Sequence, residues 1–175
     1  YVSATMDYGT VYKSKTTIRL EGYTDADWAG YKADRRSTSG FVFSLGSGAI
    51  SWSNKKQSPV ALSSTEAEYR GVAVAACEAV WLKRILKDLG VPLIDPIRIF
   101  CDNMNSIYLA RNPVFHAHTK YIEVHYHFIR ERVQAGEIDL QHVQIVDIFT
   151  KALGIDKLGK FASGLGLTPS ALSRL

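Results

Sequence analysis

Apolar and polar positions alternate in three short runs in the first third of the chain, and polar or glycine-containing segments separate them. Such alternation is typical of strands that bury one face. The runs cover residues 18–28, 40–45 and 49–53. Gly46 and Gly48 lie between the last two runs and favour a tight turn there. The pattern therefore predicts a three-stranded meander.

A long helix is predicted after the meander. Residues 63–65 are Ser-Ser-Thr followed by an acid, which is typical of a helix N-terminus. The helical pattern runs to Leu89, where Gly90 and then Pro92 predict its end.

The rest of the chain alternates between helical segments and apolar strands. Residues 97–102 are nearly all apolar, which predicts a central strand buried on both faces. Residues 138–143 predict a fifth strand, and helices are predicted over 103–111, 121–135, 147–153 and 157–165. The order β-β-β-α-β-α-α-β-α predicts an α/β domain with a mixed sheet and helices on its faces.

The composition narrows the class of protein but not its function. A chain of 175 residues, 46% hydrophobic and 22% charged, fits one globular domain with its own core. The sequence predicts no membrane span and no signal peptide. It begins at Tyr1, which fits a fragment or a processed product. The net charge of +4 is compatible with nucleic acid but is weak evidence, and Cys77 and Cys101 are expected to be buried thiols in a reducing compartment.

Two acidic residues lie at the ends of predicted strands, where ligand sites gather in α/β sheets. Asp25 is near the end of the first strand and Asp102 ends the fourth. If these strands are neighbours, the two carboxylates are about 4.8 Å apart and repel each other unless a cation lies between them. A divalent metal with oxygen ligands would meet that need. The alternative is that each acid caps a loop.

A third acid would come from the start of the long helix, where Glu66 and Glu68 compete. Residues two apart on a helix point about 200° apart, so at most one of them faces the sheet. The other would be favoured at the helix N-terminus by the helix dipole. The apolar stripe of the helix leaves the choice open.

Eight blocks of sequence, in order along nearly the whole chain, closely resemble the ribonuclease H domain of copia-type retrotransposons. The blocks are residues 22–30 (GYTDADWAG), 34–43 (DRRSTSGFVF), 50–57 (ISWSNKKQ), 61–69 (ALSSTEAEY), 101–103 (CDN), 118–120 (HTK), 126–130 (YHFIR) and 147–153 (DIFTKAL). The resemblance implies a ribonuclease H-like fold, with a five-stranded mixed sheet of antiparallel and parallel strands flanked by helices. We expect this domain over residues 17–167, after an irregular extension or connector end at 1–16 and before a tail at 168–175.

The resemblance also implies a four-carboxylate site that holds two Mg²⁺ or Mn²⁺ ions. Its members would be Asp25, Glu68, Asp102 and Asp147, with Asp27 a looser neighbour of the first. One ion would activate a water and the other would stabilise the leaving oxygen. The implied activity is cleavage of the RNA strand of RNA–DNA hybrids during reverse transcription. The implied partner is a reverse transcriptase domain that precedes this one in the polyprotein. The implied location is inside the cell, in cytoplasmic virus-like particles or in the nucleus.

Residues around the acids are candidates for substrate contacts. Lys55 and Lys56, followed by Gln57, precede the helix and could contact a nucleic-acid backbone or simply be solvated. Ser64 could bind a phosphate, although helix capping is the competing role for Ser63, Ser64 and Thr65. Asn103 is a further nucleic-acid candidate, and among the histidines His127 best matches the pattern for an auxiliary residue.

Three departures from the family pattern leave an alternative open. The segment from His142 to Asp147 is short by about four residues, Met104 stands where Gln is common, and Tyr121 stands where His is common. A decayed or co-opted domain that binds nucleic acid or protein without cleavage is therefore the second hypothesis. A purely structural connector ranks last, because it makes no use of acids at four places.

Overall fold

The computed structural model describes residues 8–14, 17–31, 33–112, 120–143 and 167–169. The strands in this part of the chain are β1 (Tyr8–Thr10), β2 (Leu20–Asp27), β3 (Thr38–Leu45), β4 (Gly48–Lys56), β5 (Ile97–Cys101), β6 (Ile138–His142) and β7 (Leu167–Pro169). The helices are α1 (Ser64–Asp88), α2 (Met104–Arg111) and α3 (Lys120–Gln134). None of these helices is long and apolar enough to cross a bilayer.

Five strands form one mixed sheet in the order β4-β3-β2-β5-β6. The strands β2, β3 and β4 pair antiparallel as a meander, whereas β5 joins β2 in parallel and β6 joins β5 in parallel. The predicted fold class is confirmed. The sequence left open whether β2 and β5 are neighbours, and the sheet makes them so.

Helix α1 packs closely on the sheet because its inward face carries small residues. Ala75, Ala76 and Ala79 are fully buried there. Gly71 lies so near β2 that a Cβ added to it would be 3.4 Å from the Thr24 hydroxyl oxygen. The start of α1 is thereby held against the carboxyl end of β2.

Both ends of α1 match the local signals in the sequence. Ser63 is the N-cap, and its side chain accepts a hydrogen bond from the Glu66 backbone N–H. Leu89 is the C-cap, and the next residue, Gly90, has φ +78°, a left-handed conformation that glycine adopts without strain.

A second, two-stranded sheet joins distant parts of the chain. Strand β1 pairs antiparallel with β7, with Gly9 opposite Thr168. The expectation of an irregular segment before residue 17 is therefore wrong for β1. After it, the Tyr12 hydroxyl donates to the Ala49 carbonyl oxygen at 2.6 Å, and the Tyr12 ring covers Gly48. Three-residue strands leave no alternating pattern, which is why the sequence did not predict this sheet. The helical segments expected at 147–153 and 157–165 lie outside the described residues.

Candidate metal centre

Three of the predicted acids meet at one point of the fold. Asp25 lies in β2, Glu68 in the second turn of α1, and Asp102 directly after β5. One carboxylate oxygen from each lies within 4.8 Å of the others. Among the described residues, this is the one cluster of three or more histidine, cysteine or acidic side chains with such spacing.

The acids are largely withdrawn from solvent. Asp25 is 1% exposed and Glu68 is 7% exposed, while Asp102 is partly exposed. Buried carboxylates at this spacing repel one another, and neutralisation by a cation is the usual compensation. Clustered carboxylate oxygens are also the donors that hard divalent cations such as Mg²⁺ prefer. The donor set therefore fits such an ion, and the exposed side of Asp102 leaves the cluster accessible.

The parallel register of β2 and β5 explains why the two aspartates meet. Tyr23 is paired with Phe100, and their rings stack with centroids 4.9 Å apart. Asp25 and Asp102 each follow two residues later, so they reach the same level at the carboxyl ends of adjacent strands. Such strand ends are the ordinary location of ligand sites in α/β folds.

The two glutamates of α1 have separate environments. Glu68 Oε1 accepts a hydrogen bond from the Ala26 backbone N–H at 3.2 Å, which ties it to the end of β2. Glu66 instead accepts from the Leu62 backbone N–H at 2.9 Å and pairs with Arg70 at 2.8 Å. Glu66 therefore stabilises the start of the helix, whereas Glu68 joins the acidic cluster. The structure therefore places Glu68, the glutamate that the resemblance favoured, beside Asp25 and Asp102.

Asp27, the looser neighbour, lies outside the cluster. Its carboxylate covers Gly30, where any Cβ would collide with it. Between them, Ala29 has φ +52° in the left-handed region, a strained conformation for a residue with a side chain. Asp27 thus belongs to the turn that follows β2. Asp147, the proposed fourth acid, lies outside the described residues.

The pKa of the Cys101 thiol depends on its burial and on the neighbouring acids. Burial, with a further contribution from Glu68, raises the pKa of the Cys101 thiol to about 12. Asp102 acts in the same direction, and a hydrogen bond from the Asn103 backbone acts against it.

Cys101 is buried as expected, but Cys77 is exposed on α1, so the prediction that both thiols are buried is wrong for Cys77.

The two lysines before α1 lie in strand β4, which continues to Lys56, beyond the run 49–53 that the sequence predicted. Lys56 Nζ lies 2.9 Å from an Asp34 carboxylate oxygen and 3.2 Å from the centroid of the Tyr31 ring. Lys55 is exposed and pairs in register with Ser39, which pairs with Ala26. Its backbone is thus two strands, about 10 Å, from the end of β2.

The other substrate candidates have structural contacts or are exposed. Ser64 is exposed in the first turn of α1, next to the N-cap Ser63. Asn103 caps α2, because its Oδ1 accepts from the Ser106 backbone N–H at 3.0 Å. The Asn103 contact therefore belongs to the start of α2 and not to the acidic cluster.

One histidine lies beside Asp102, although no sequence pattern singled it out. His127 is exposed on α3. His142 ends β6, pairs with Cys101 in register, and its Nε2 lies 3.1 Å from the Asp102 carbonyl oxygen. The sequence did place His142 near the end of the strand predicted at 138–143. Its position beside Asp102 follows only when β6 is known to pair with β5.

Comparison with known proteins places the sequence in a family. No family model matches the chain. The chain is 45% identical over 172 residues to the "Retrovirus-related Pol polyprotein from transposon RE1" of Arabidopsis thaliana, which covers 96% of this chain and 12% of that protein. It is 43% identical over 141 residues to the corresponding polyprotein from transposon TNT 1-94 of Nicotiana tabacum, covering 81% of this chain and 10% of that protein. The chain matches a segment of the Pol polyproteins of copia-like transposons. It spans only about an eighth of the length of these relatives.

Solved structures show which fold this Pol segment has. The N-terminal RNase H domain of Rv2228c from Mycobacterium tuberculosis superposes with a TM-score of 0.55 at 15% identity, covering 83% of this chain and 97% of that one. LC11-RNase H1 in complex with an RNA/DNA hybrid gives 0.51 at 13% identity, covering 71% and 85%. The protease-reverse transcriptase of prototype foamy virus gives 0.50 at 15% identity, covering 89% and 21%. The fold is that of ribonuclease H.

Proposed function

We propose that this Pol segment is a metal-dependent endonuclease that hydrolyses the RNA strand of RNA–DNA hybrids during reverse transcription. The observation that carries the proposal is the buried cluster of Asp25, Glu68 and Asp102 at the carboxyl ends of β2 and β5. A nuclease-type role is also supported by the ribonuclease H fold and by the Pol polyprotein relatives.

In this proposal the three clustered acids, with Asp147 as the fourth, hold Mg²⁺ or Mn²⁺ ions, two per site. Divalent cations bound by carboxylates supply Lewis acidity toward a phosphodiester and the water that attacks it. The chain's own contribution is geometric. Asp25 is fixed by its strand, and the Ala26 backbone N–H fixes one oxygen of Glu68, so that both carboxylates keep their positions as substrate binds.

The descriptions of two similar solved structures support a hybrid substrate and a reverse transcriptase partner. One similar structure is described as a ribonuclease H1 in complex with an RNA/DNA hybrid, and another as a protease-reverse transcriptase. We therefore propose the hybrid as substrate and a preceding reverse transcriptase domain as partner. Lys55, exposed on β4 near the acids, is our candidate for a phosphate contact, because a lysine contributes charge to backbone binding without needing a specific sequence.

The direct test is cleavage of a fluorescent RNA–DNA hybrid in Mg²⁺ or Mn²⁺. We expect cleavage by the wild-type chain, none by Asp102→Asn, and none of a DNA duplex of the same sequence. The Asp102→Asn substitution preserves size and removes one charge, so a contaminating nuclease would cleave equally in both preparations. Equal cleavage by the two proteins would sink the proposal.

The second candidate is binding without cleavage. It is favoured by Met104, an apolar residue that is 40% exposed in the first turn of α2, beside the cap Asn103 and close in sequence to Asp102. The short segment before Asp147 is a second reason. Hybrid binding measured in Ca²⁺, together with no cleavage in Mg²⁺ or Mn²⁺, is the result expected of this candidate.

A further inference from the structure

Gln57 follows β4 directly and joins that strand to the first turns of α1. Its side-chain Nε2 donates to the Ser39 hydroxyl oxygen at 2.7 Å and to the Ala67 carbonyl oxygen at 2.8 Å. Its backbone N–H donates to the Ser37 carbonyl oxygen at 2.8 Å, which holds the residue against the start of β3. Because a carbonyl oxygen can only accept, the Ala67 contact fixes which end of the amide faces the helix.

The other end of this amide is buried without a compensating bond. Gln57 Oε1 is inaccessible to solvent and has no hydrogen-bond partner in the described part of the chain. Burying an unpaired carbonyl oxygen is unfavourable, and an apolar side chain of similar size would fill the same space without that penalty. What the amide contributes here is therefore the pair of bonds that its nitrogen donates.

Both acceptors are linked to Glu68 of the acidic cluster. Ala67 directly precedes Glu68 in α1. Ser39 is the register partner of Ala26, whose N–H donates to Glu68 Oε1. The contacts thus close a ring from Gln57 through Ala67 and Glu68 to Ala26 and back through Ser39. Glu68 is the member of the acidic cluster that belongs to this ring, and the two hydrogen bonds of the Gln57 amide go to Ala67 and Ser39.

We propose that Gln57 is a positioning residue of the metal centre, holding Glu68 at its place beside Asp25 and Asp102 through these two hydrogen bonds. The inference rests on the proposed function for its metal, but the position of Glu68 can be measured without one. Partners that orient metal ligands typically change metal affinity by about 10- to 100-fold when removed. We expect an effect near the lower limit, because the Ala26 bond to Glu68 remains.

The test compares Gln57→Leu with Gln141→Leu in the full chain. Gln141 is a matched control, since its Nε2 also donates to a side chain, Asp139 at 2.7 Å, but on the edge strand β6. Mn²⁺ binding is measured by calorimetry. Amide hydrogen exchange is measured at Ala26 and compared with that at Val42 in the centre of β3, which separates a local change from a global loss of stability.

We expect Gln57→Leu to weaken Mn²⁺ binding about tenfold and to speed exchange at Ala26 relative to Val42, with Gln141→Leu unchanged in both. Wild-type Mn²⁺ affinity together with unchanged relative exchange at Ala26 would overturn the inference. If the wild-type chain binds no Mn²⁺, the proposed metal function fails and the exchange ratio alone decides the positioning role. If Gln57→Leu does not fold, Ser39→Ala removes one of the two bonds, and the same two readouts must then move in the same direction.

Discussion

The backbone N–H of Ala26 donates to the carboxylate of Glu68 at 3.2 Å, and this bond joins the end of β2 to the second turn of α1. It explains why a helix residue meets two acids that come from strands. It adds a direct bond between Glu68 and the strand that carries Asp25 to the packing of α1 on the sheet. Because a charged acceptor strengthens a hydrogen bond, the contact also holds the Glu68 carboxylate in place.

Asp25→Asn tests the electrostatic repulsion within the cluster. Removing one of three adjacent charges, of which Asp25 and Glu68 are buried, is expected to raise the free energy of unfolding of the metal-free protein by about 1 kcal/mol, because the remaining carboxylates repel less. Stabilisation by Mn²⁺ should disappear, since a ligand is lost. Thermal melts with and without Mn²⁺ measure both effects. Asp27→Asn, two residues away and outside the cluster, is the control and should keep the Mn²⁺ response.

The two glutamates of α1 are expected to respond in opposite ways to the same substitution. Glu66→Gln removes the ion pair to Arg70 and weakens the helix start, so it should lower the free energy of unfolding by about 1 kcal/mol while cleavage stays within about twofold. Glu68→Gln should reduce cleavage at least about 100-fold with little loss of stability. Denaturant unfolding and hybrid cleavage together check this. The reverse pattern would show that Glu66 is the ligand.

Lys55 and Lys56 are adjacent but should not contribute equally to substrate binding. Lys56 is engaged by Asp34 and Tyr31, and its hydrogen bond is the largest cause of the lowered pKa of the Asp34 carboxyl. Lys55→Ala is therefore expected to reduce the salt dependence of hybrid binding by about 0.7–0.9 in the log–log slope, equivalent to one phosphate contact. Lys56→Ala should change that slope less. Titration of binding against salt concentration measures both, and equal slopes would contradict the assignment.

Gly71→Ala is expected to stabilise the protein. A Cβ there would lie 3.4 Å from the Thr24 hydroxyl oxygen, an ordinary contact, and alanine favours a helix interior over glycine by about 0.8–1 kcal/mol. Gly71→Val should instead destabilise by about 1–3 kcal/mol, because its methyl groups would push α1 from β2. Chemical denaturation of the pair checks the sign of each. Loss of stability in Gly71→Ala would show that α1 and β2 leave no room for a methyl group at this position.

The two thiols are expected to differ in reactivity in the folded protein. Burial raises the pKa of both, but Cys101 reaches about 12 and is enclosed, whereas Cys77 is exposed. Because the thiolate is the reactive form, Cys101 should be unreactive near pH 8 and modified only on unfolding. A thiol reagent should therefore titrate Cys77 alone before denaturant is added. Cys77→Ser should abolish the native reaction, and persistent labelling of that variant would contradict the burial of Cys101.

Much of the fold follows from local patterns. Alternating runs predicted the meander of β2, β3 and β4, although β4 extends three residues beyond its predicted end at Ser53. The cap at Ser63 and the glycine at position 90 predicted both ends of α1. These features depend on neighbours within a few residues, so a sequence pattern records them. Strand β1 depends on pairing with β7, more than 150 residues away, and leaves no such record.

The candidate site divides along the same line. The sequence by itself determined that Asp25 and Asp102 would stand at strand ends, because a strand's position in the pattern fixes its last residue. The resemblance already favoured Glu68 over Glu66, although no local pattern of the chain did. The tertiary structure decided that Glu68 meets the two aspartates, that His142 lies beside Asp102, and that Gln57 links β4 to α1. Each depends on the parallel pairing of β2, β5 and β6 or on how closely α1 approaches the sheet at Gly71. Such distances join residues far apart in the chain, so packing and not local propensity sets them.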